Sequence, residues 1–184
     1  MNRSQLEHII RAAGSIADDH EIIVLGSSSI FAQFPDTPEE FLQSIEADVF
    51  PKNKPYMSDT IDGCIGELSP FHESFGYYAH GVSWETANNL PDGWDKRLIP
   101  IKNENTGGMT GLCLEIHDLI AGKYVSSREK DLQFARVVIQ HDMVSEATLL
   151  ERVEDLQVDA ALKEKIRQRL AADFEQAKPG QTQG

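Results

Sequence analysis

A short apolar run, Ile22-Ile23-Val24-Leu25, stops at Gly26-Ser27-Ser28-Ser29, and about twenty residues later a second segment opens as Glu46-Ala47-Asp48-Val49-Phe50. No other feature constrains the chain as much. Four consecutive apolar residues bounded by a glycine-serine turn read as a buried strand. A strand that ends in such a turn can aim backbone amides at a phosphate. In the second segment Glu46 and Asp48 alternate, so an extended backbone puts both carboxylates on one face, where they can share a divalent ion. Together the two segments suggest a site for a nucleoside triphosphate with magnesium.

At 184 residues the chain has room for one domain with a long tail or for two small lobes. Its hydrophobic fraction of 40% and charged fraction of 26% are ordinary for a soluble globular protein. No stretch approaches the roughly 20 apolar residues that cross a bilayer. The segment from Met1 to Asp18 is amphipathic, with charges interrupting every apolar group, and does not read as a signal peptide. The expectation is a cytoplasmic protein with no membrane partner. Cys64 and Cys113 have neither zinc-site spacing nor the density of a disulfide scaffold, and are expected to be buried free thiols. Thirty acidic against seventeen basic residues give a net charge of −13, which disfavours broad nucleic-acid binding and leaves room only for a local basic patch at an RNA end.

Apolar residues at helical spacing predict a first helix from about Gln5 to Asp18, opened by the capping box Ser4-Gln5-Leu6-Glu7. Glu21 to Leu25 is then a strand and Ser28 to about Gln33 a short helix. Thr37 caps another helix from Pro38 to about Ser44, and Glu46 to Phe50 is the second strand. Ser58 to Leu68 is predicted helical, Phe71 to Phe75 a further turn, Tyr77 to His80 and Leu98 to Ile101 strands, and Asn103 to Gly111 loop. From Leu114 onward the pattern is helical. Ile116, Leu119, Ile120 and Lys123 share one face, Ser126-Ser127-Arg128-Glu129 reads as a second capping box, Ser145 caps a third helix, and Ala160 to Gln176 makes a fourth. The organisation predicted is an αβ lobe over 1–112, a helical lobe over 113–178 and a flexible tail over 179–184.

Nucleotidyl transfer needs charge neutralisation and alignment more than covalent chemistry. Glu46 and Asp48 supply the metal-facing carboxylates, Gly26 permits close backbone approach to phosphate, and Ser27 adds a hydroxyl donor. Further along, His117-Asp118 and Lys123 precede Arg128-Glu129-Lys130-Asp131. A helix–turn–helix elbow there can bring Lys123 and Asp131 to one cleft, where Lys123 can hold a triphosphate. The macrodipole also favours a lysine late in one helix and an acid early in the next without any ligand. His117-Asp118, with His72 or His80 before and Asp131 or Asp142 after, imitates an all-helical His/Asp metal phosphohydrolase, against which the Ile22 to Leu25 strand counts. The basic cluster Lys163, Lys165, Arg167 and Arg169 is usually a solvated face, and is also the densest candidate for an RNA contact. His72, Tyr77, Tyr78 and His80 are candidates for an acceptor pocket or for packing, and Trp84 and Trp94 for core.

Gly26-Ser27, Glu46-Ala47-Asp48, Lys123 and Arg128-Glu129-Lys130-Asp131, in that order, resemble the motifs of AbiEii-type nucleotidyltransferases, within the polymerase-beta-like nucleotidyltransferase superfamily. The segments Phe71-His72-Glu73, Tyr77 to Val82, Leu90-Pro91-Asp92-Gly93-Trp94 and Gly111 to Lys123 resemble a bacterial branch of that group. The resemblance spans roughly residues 20 to 140. It implies an α+β fold, a nucleotidyltransferase-like mixed β-sheet core with a helical C-terminal lobe. It also implies Mg2+-dependent transfer from a nucleoside triphosphate to an RNA or protein acceptor. Several members resembling it are toxins of toxin–antitoxin pairs, which makes a cognate antitoxin an expected partner. By the same resemblance Gly26 and Ser27 contact phosphate, Glu46 and Asp48 bind magnesium, Lys123 and Arg128 contact the nucleotide phosphates, and Asp131 assists as base or metal partner. The superfamily usually carries a third carboxylate on a later core strand. Asp62, Glu67 and Glu85 are the candidates here, none in a convincing strand context. The alternative expectation is a catalytically worn nucleotidyltransferase fold acting as an interaction module.

Overall fold

In the computed structural model, which describes residues 1–178, the Ile22–Leu25 run lies at the centre of a five-stranded mixed sheet. The strands are β1 (Glu21–Leu25), β2 (Glu46–Pro51), β3 (Tyr78–Gly81), β4 (Ile99–Ile101) and β5 (Thr110–Cys113), in the spatial order β3-β2-β1-β5-β4. β1 runs antiparallel to β2 and parallel to β5, β3 is parallel to β2, and β4 is antiparallel to β5. The tail predicted over 179–184 lies outside the described residues.

Two compact units divide the chain: Met1–Asn88 with Asp95–Glu115, and Asn89–Trp94 with the residues from Ile116 on. The first holds the sheet together with α1 (Arg3–Ala17), α2 (Ser58–Ile65) and α3 (Pro70–Phe75). α1 opens earlier than predicted, on Asn2. The Asn2 side chain accepts from Gln5 N at 3.0 Å, and Gln5 Oε1 accepts from Asn2 N at 2.8 Å, so the reciprocal box sits one step upstream of Ser4. Glu7, which the Ser4 box required, is instead buried and accepts from Arg3, Asn103 and Asn105, tying α1 to the loop before β5. The helices predicted around Ser28 and Pro38 are 3-10 turns, Ser27–Ala32 and Glu39–Phe41, and the second has no side-chain cap from Thr37.

β5 is the main departure from the sequence reading. Its residues, Thr110-Gly111-Leu112-Cys113, follow Thr-Gly-Gly-Met and carry a loop-like glycine in mid-strand. The glycine is there for packing: a β-carbon on Gly111 would lie 2.3 Å from Ile10 Cδ1 of α1. The same contact identifies the faces of the sheet. Gly111 pairs with Ile22 and Ile22 with Pro51, so Val24, Ala47 and Val49 lie on the face that α1 covers. Glu46, Asp48, Phe50, Ile23 and Leu25 lie on the other. Because β5 completes the sheet, the first unit extends through Glu115, and the division predicted between 112 and 113 falls inside a strand.

The second unit is built from α4 (Ile116–Ser126), α5 (Glu129–Gln140), α6 (Glu146–Glu154) and α7 (Ala160–Ala177). Ser145 caps α6 by accepting from Thr148 N, and Asp159 caps α7 by accepting from Leu162 N at 2.8 Å. Ile116, Leu119, Ile120, Leu132, Ala135, Val138, Ile139, Leu149, Val153, Ile166 and Leu170 are buried. Polar ties cross this core as well. Wholly buried Asp118 stands 3.1 Å from Arg152 Nε, an ion-pair contact without hydrogen-bond geometry. Tyr124 donates to Asp173 at 2.6 Å, and Arg136 to the same carboxylate at 3.3 Å. No helix among the described residues is long and apolar enough to cross a membrane.

Candidate active site

β2 and β3 run side by side in parallel register, with Glu46 opposite Tyr78 and Asp48 opposite His80. Period-two alternation brings all four side chains to the face away from α1. Each acid is bonded by its own opposite number. Tyr78 donates its hydroxyl to Glu46 Oε2 at 3.0 Å, and His80 Nδ1 lies 3.0 Å from Asp48 Oδ1. Burial, then the Glu46 hydrogen bond, then the charges of Glu46, Glu67 and Asp48 push the Tyr78 phenol up to about 12, so it remains a donor near neutrality.

The glycine-serine turn meets this pair from β1. Leu25 is the register partner of Asp48, which puts Gly26 beside that carboxylate. Gly26 has φ 68° and ψ −170°, a region that only glycine occupies without strain. A β-carbon there would also stand 2.3 Å from Asp48 Oδ2. Ser27 begins the 3-10 turn, and amides at the start of such a turn have no acceptor one turn earlier. Behind it Ser29 donates to Val24 O at 2.9 Å, while the buried hydroxyl of Ser28 has no hydrogen-bond partner among the described residues. In the first unit, then, Gly26, Ser27, Glu46 and Asp48 come together as the sequence suggested.

The donor set suits magnesium, a hard cation that commonly takes one or two carboxylates and completes its shell with water and substrate phosphates. Glu46 and Asp48 are both part-exposed and offer oxygen only. Among the described residues no group of three or more His, Cys, Asp and Glu stands ready to enclose a metal ion without a substrate. β3, Tyr78-Ala79-His80-Gly81, carries no acid. Of the three candidates for a further carboxylate, Asp62 lies on α2 and accepts from the edge amide of Gly81 at 3.1 Å. Glu67 and Glu85 are exposed outside the sheet.

In the second unit the elbow between α4 and α5 brings Lys123, Arg128 and Asp131 together. Lys123 Nζ donates to Asp131 Oδ1 at 2.8 Å and sits 4.6 Å from the Phe134 ring centroid. Ser126 Oγ and Arg128 Nε donate to Asp131 Oδ2 at 2.6 and 2.7 Å. Lys123 and Asp131 side chains are only 10% and 6% exposed, whereas that of Arg128 is 66% exposed. Burial pushes the Asp131 carboxyl up, but the hydrogen bonds from Lys123 and Ser126, the Lys123 charge and the Arg128 hydrogen bond outweigh it and hold it at about 2. So acid a group, with both oxygens engaged, makes a poor proton acceptor, and the base role expected of Asp131 finds no support in this geometry. Ser126 serves this carboxylate instead of opening a capping box, and Arg128 at the N-cap of α5 makes no capping bond.

Several other candidates make contacts within their own units. His117 Nε2 accepts from Ser145 N at 3.0 Å and Asp118 faces Arg152, so the His-Asp pair holds α6. His72 Nδ1 accepts from Leu68 N at 3.1 Å, and Tyr77 packs edge-on against His8 and Phe71. Trp94 is buried, whereas Trp84 is exposed despite an edge contact with Phe50. On α7, Arg167 pairs with Glu154 and Glu164, Lys163 bonds Glu154 O, and Arg169 donates to Ser127. Much of this basic stretch is thus spent on its own unit. Cys113 is buried as expected, but Cys64 is exposed because it lies on the outer side of α2. By sequence alone Tyr78 and His80 are candidates for an acceptor pocket or for packing, not partners of the two β2 carboxylates. Their signal is the alternation Tyr78-x-His80, which matches Glu46-x-Asp48 once the strands are known to pair.

A family model described as a nucleotidyltransferase of unknown function (DUF6036) matches residues 4–179. No match was found among curated proteins or among solved structures.

Proposed function

We propose, from the premise that the chain belongs to this nucleotidyltransferase family, that it moves a nucleotide from a triphosphate to a hydroxyl of an RNA end or a protein. The reading rests on one observation: Glu46 and Asp48 share a sheet face at the mouth of the Gly26-Ser27 turn. The two carboxylates would hold magnesium. When bound, the ion neutralises charge on the triphosphate and on the oxygens of the reacting phosphorus. The chain's own groups orient the donor. The Gly26 backbone approaches phosphate unhindered by a side chain, and Ser27 contributes an amide and a hydroxyl at the head of its 3-10 turn. The ordered motif set favours an AbiEii-type relative within the family. The charge of −13 and the internally paired basic residues of α7 favour a compact acceptor over a long polyanion.

Transfer of label from each of four α-labelled nucleoside triphosphates, with Mg2+ and a cell extract as acceptor source, tests the proposal. The expected result is labelled product that disappears in Asp48→Ala while that variant keeps its thermal transition. Undiminished transfer by Asp48→Ala would remove the carboxylate assignment.

A second reading is favoured by the acid-free strand β3. In it the fold has lost catalysis and serves as an interaction module. Calorimetry with the four triphosphates and magnesium separates the two, since the module binds none of them.

A further inference from the structure

On a part-exposed strand an aspartate carboxylate turns about two side-chain bonds and a glutamate carboxylate about three, and a metal-binding acid works best when a neighbour fixes that rotation. Both acids of β2 have such a neighbour, in each case the residue directly across on β3. Tyr78 holds Glu46 Oε2, and His80 holds Asp48 Oδ1, each at 3.0 Å. An ionised carboxylate only accepts, so the His80 contact requires the hydrogen on Nδ1. With Oδ1 tied to β3, the other oxygen of Asp48 is the one that faces the Gly26 turn.

We propose that β3 is the positioning strand of this site, with Tyr78 and His80 orienting Glu46 and Asp48 toward the divalent cation. The inference rests on the nucleotidyltransferase reading above and adds two residues to it. Its physical content is a substitution of kind. At the register position next to Asp48 the chain has a hydrogen-bond donor, so the strand adds orientation without a further negative charge. Two acids in place of three leave more of the shell to phosphate, and cation binding is accordingly strengthened by nucleotide. Parallel pairing decides which donor serves which acid, because it brings residues 46 and 48 opposite 78 and 80 in the same order.

The test is Mn2+ affinity of the full chain, followed by electron paramagnetic resonance, alone and with the α,β-methylene analogues of the four nucleoside triphosphates. Wild type, Asp48→Ala, Tyr78→Phe, His80→Ala and His80→Asn are compared. Asparagine can restore a donor near the Nδ1 position. Loss of an orienting partner is expected to weaken binding by about 10-fold in Tyr78→Phe and in His80→Ala. His80→Asn is expected to recover most of that loss, which a merely structural role would not produce. Wild-type affinity in folded His80→Ala, or no recovery in His80→Asn, overturns the positioning role while leaving the wider reading intact. Should His80→Ala fail to fold, Tyr78→Phe decides, and unchanged affinity there overturns the inference. If wild type binds no Mn2+ under any condition and matches Asp48→Ala, the nucleotidyltransferase site itself is refuted.

Discussion

A β-carbon placed on Gly26 would stand 2.3 Å from Asp48 Oδ2, so the glycine turn and the second acid of β2 are fitted to each other. Two requirements meet at this residue. The backbone demands glycine at φ 68° and ψ −170°, and the carboxylate demands that no side chain be there.

Gly26→Ala is therefore expected to fail on both counts. The backbone strain costs about 1–3 kcal/mol, and the Asp48 carboxylate must turn away. Urea denaturation reads the first effect and Mn2+ titration the second. A variant that keeps wild-type stability and cation affinity would contradict the fit.

Asp131 should make stability depend on acid. Its folded carboxyl sits at about 2 against an ordinary 3.8, so its contribution is complete above the ordinary value and is lost as pH falls toward the folded one. The gain is about 2 kcal/mol. Asp131→Asn leaves the buried Lys123 ammonium uncompensated and is expected to cost about 3–5 kcal/mol near neutrality. The gap between wild type and variant, measured by urea unfolding, should narrow between about pH 5 and pH 2.

Ser28 carries a buried hydroxyl that lacks a hydrogen-bond partner among the described residues. Replacing such a group by an apolar one is near neutral or stabilising. Ser28→Ala is expected to leave the unfolding midpoint unchanged or to raise it by up to about 1 kcal/mol of stability. A clear loss of stability would mean that the hydroxyl is satisfied by water.

The two thiols should separate cleanly in alkylation. Cys64 is exposed, while burial pushes the Cys113 thiol up to about 12. Only the thiolate reacts. Mass spectrometry after brief iodoacetamide treatment should find one label, on Cys64, in native protein and two after urea. Labelling of Cys113 in the native state would show that β5 opens.

Local chemistry was legible in the sequence wherever the signal was itself local. Ile22 to Leu25 is a four-residue apolar run that ends at a glycine followed by serines, a residue type that permits a sharp turn, so strand and turn followed directly. Glu46 and Asp48 share a face because strand alternation requires it. The elbow at Lys123 and Asp131 could be read because residues eight apart across a tight helix–helix turn return to each other.

What the sequence could not settle depends on partners distant along the chain. Thr110–Cys113 looks like loop until β1 and α1 are beside it, and its glycine is explained by Ile10, about a hundred residues away. The first helix is capped by Asn2, while Glu7 is engaged by Asn103 and Asn105, about a hundred residues away. Tyr78 and His80 meet Glu46 and Asp48 only through the register of β3 on β2. Residue type and spacing determine which groups are present and which way a strand turns them. Which groups meet is decided by long-range pairing, whose free energy comes from burial and hydrogen bonds that no local window of sequence contains.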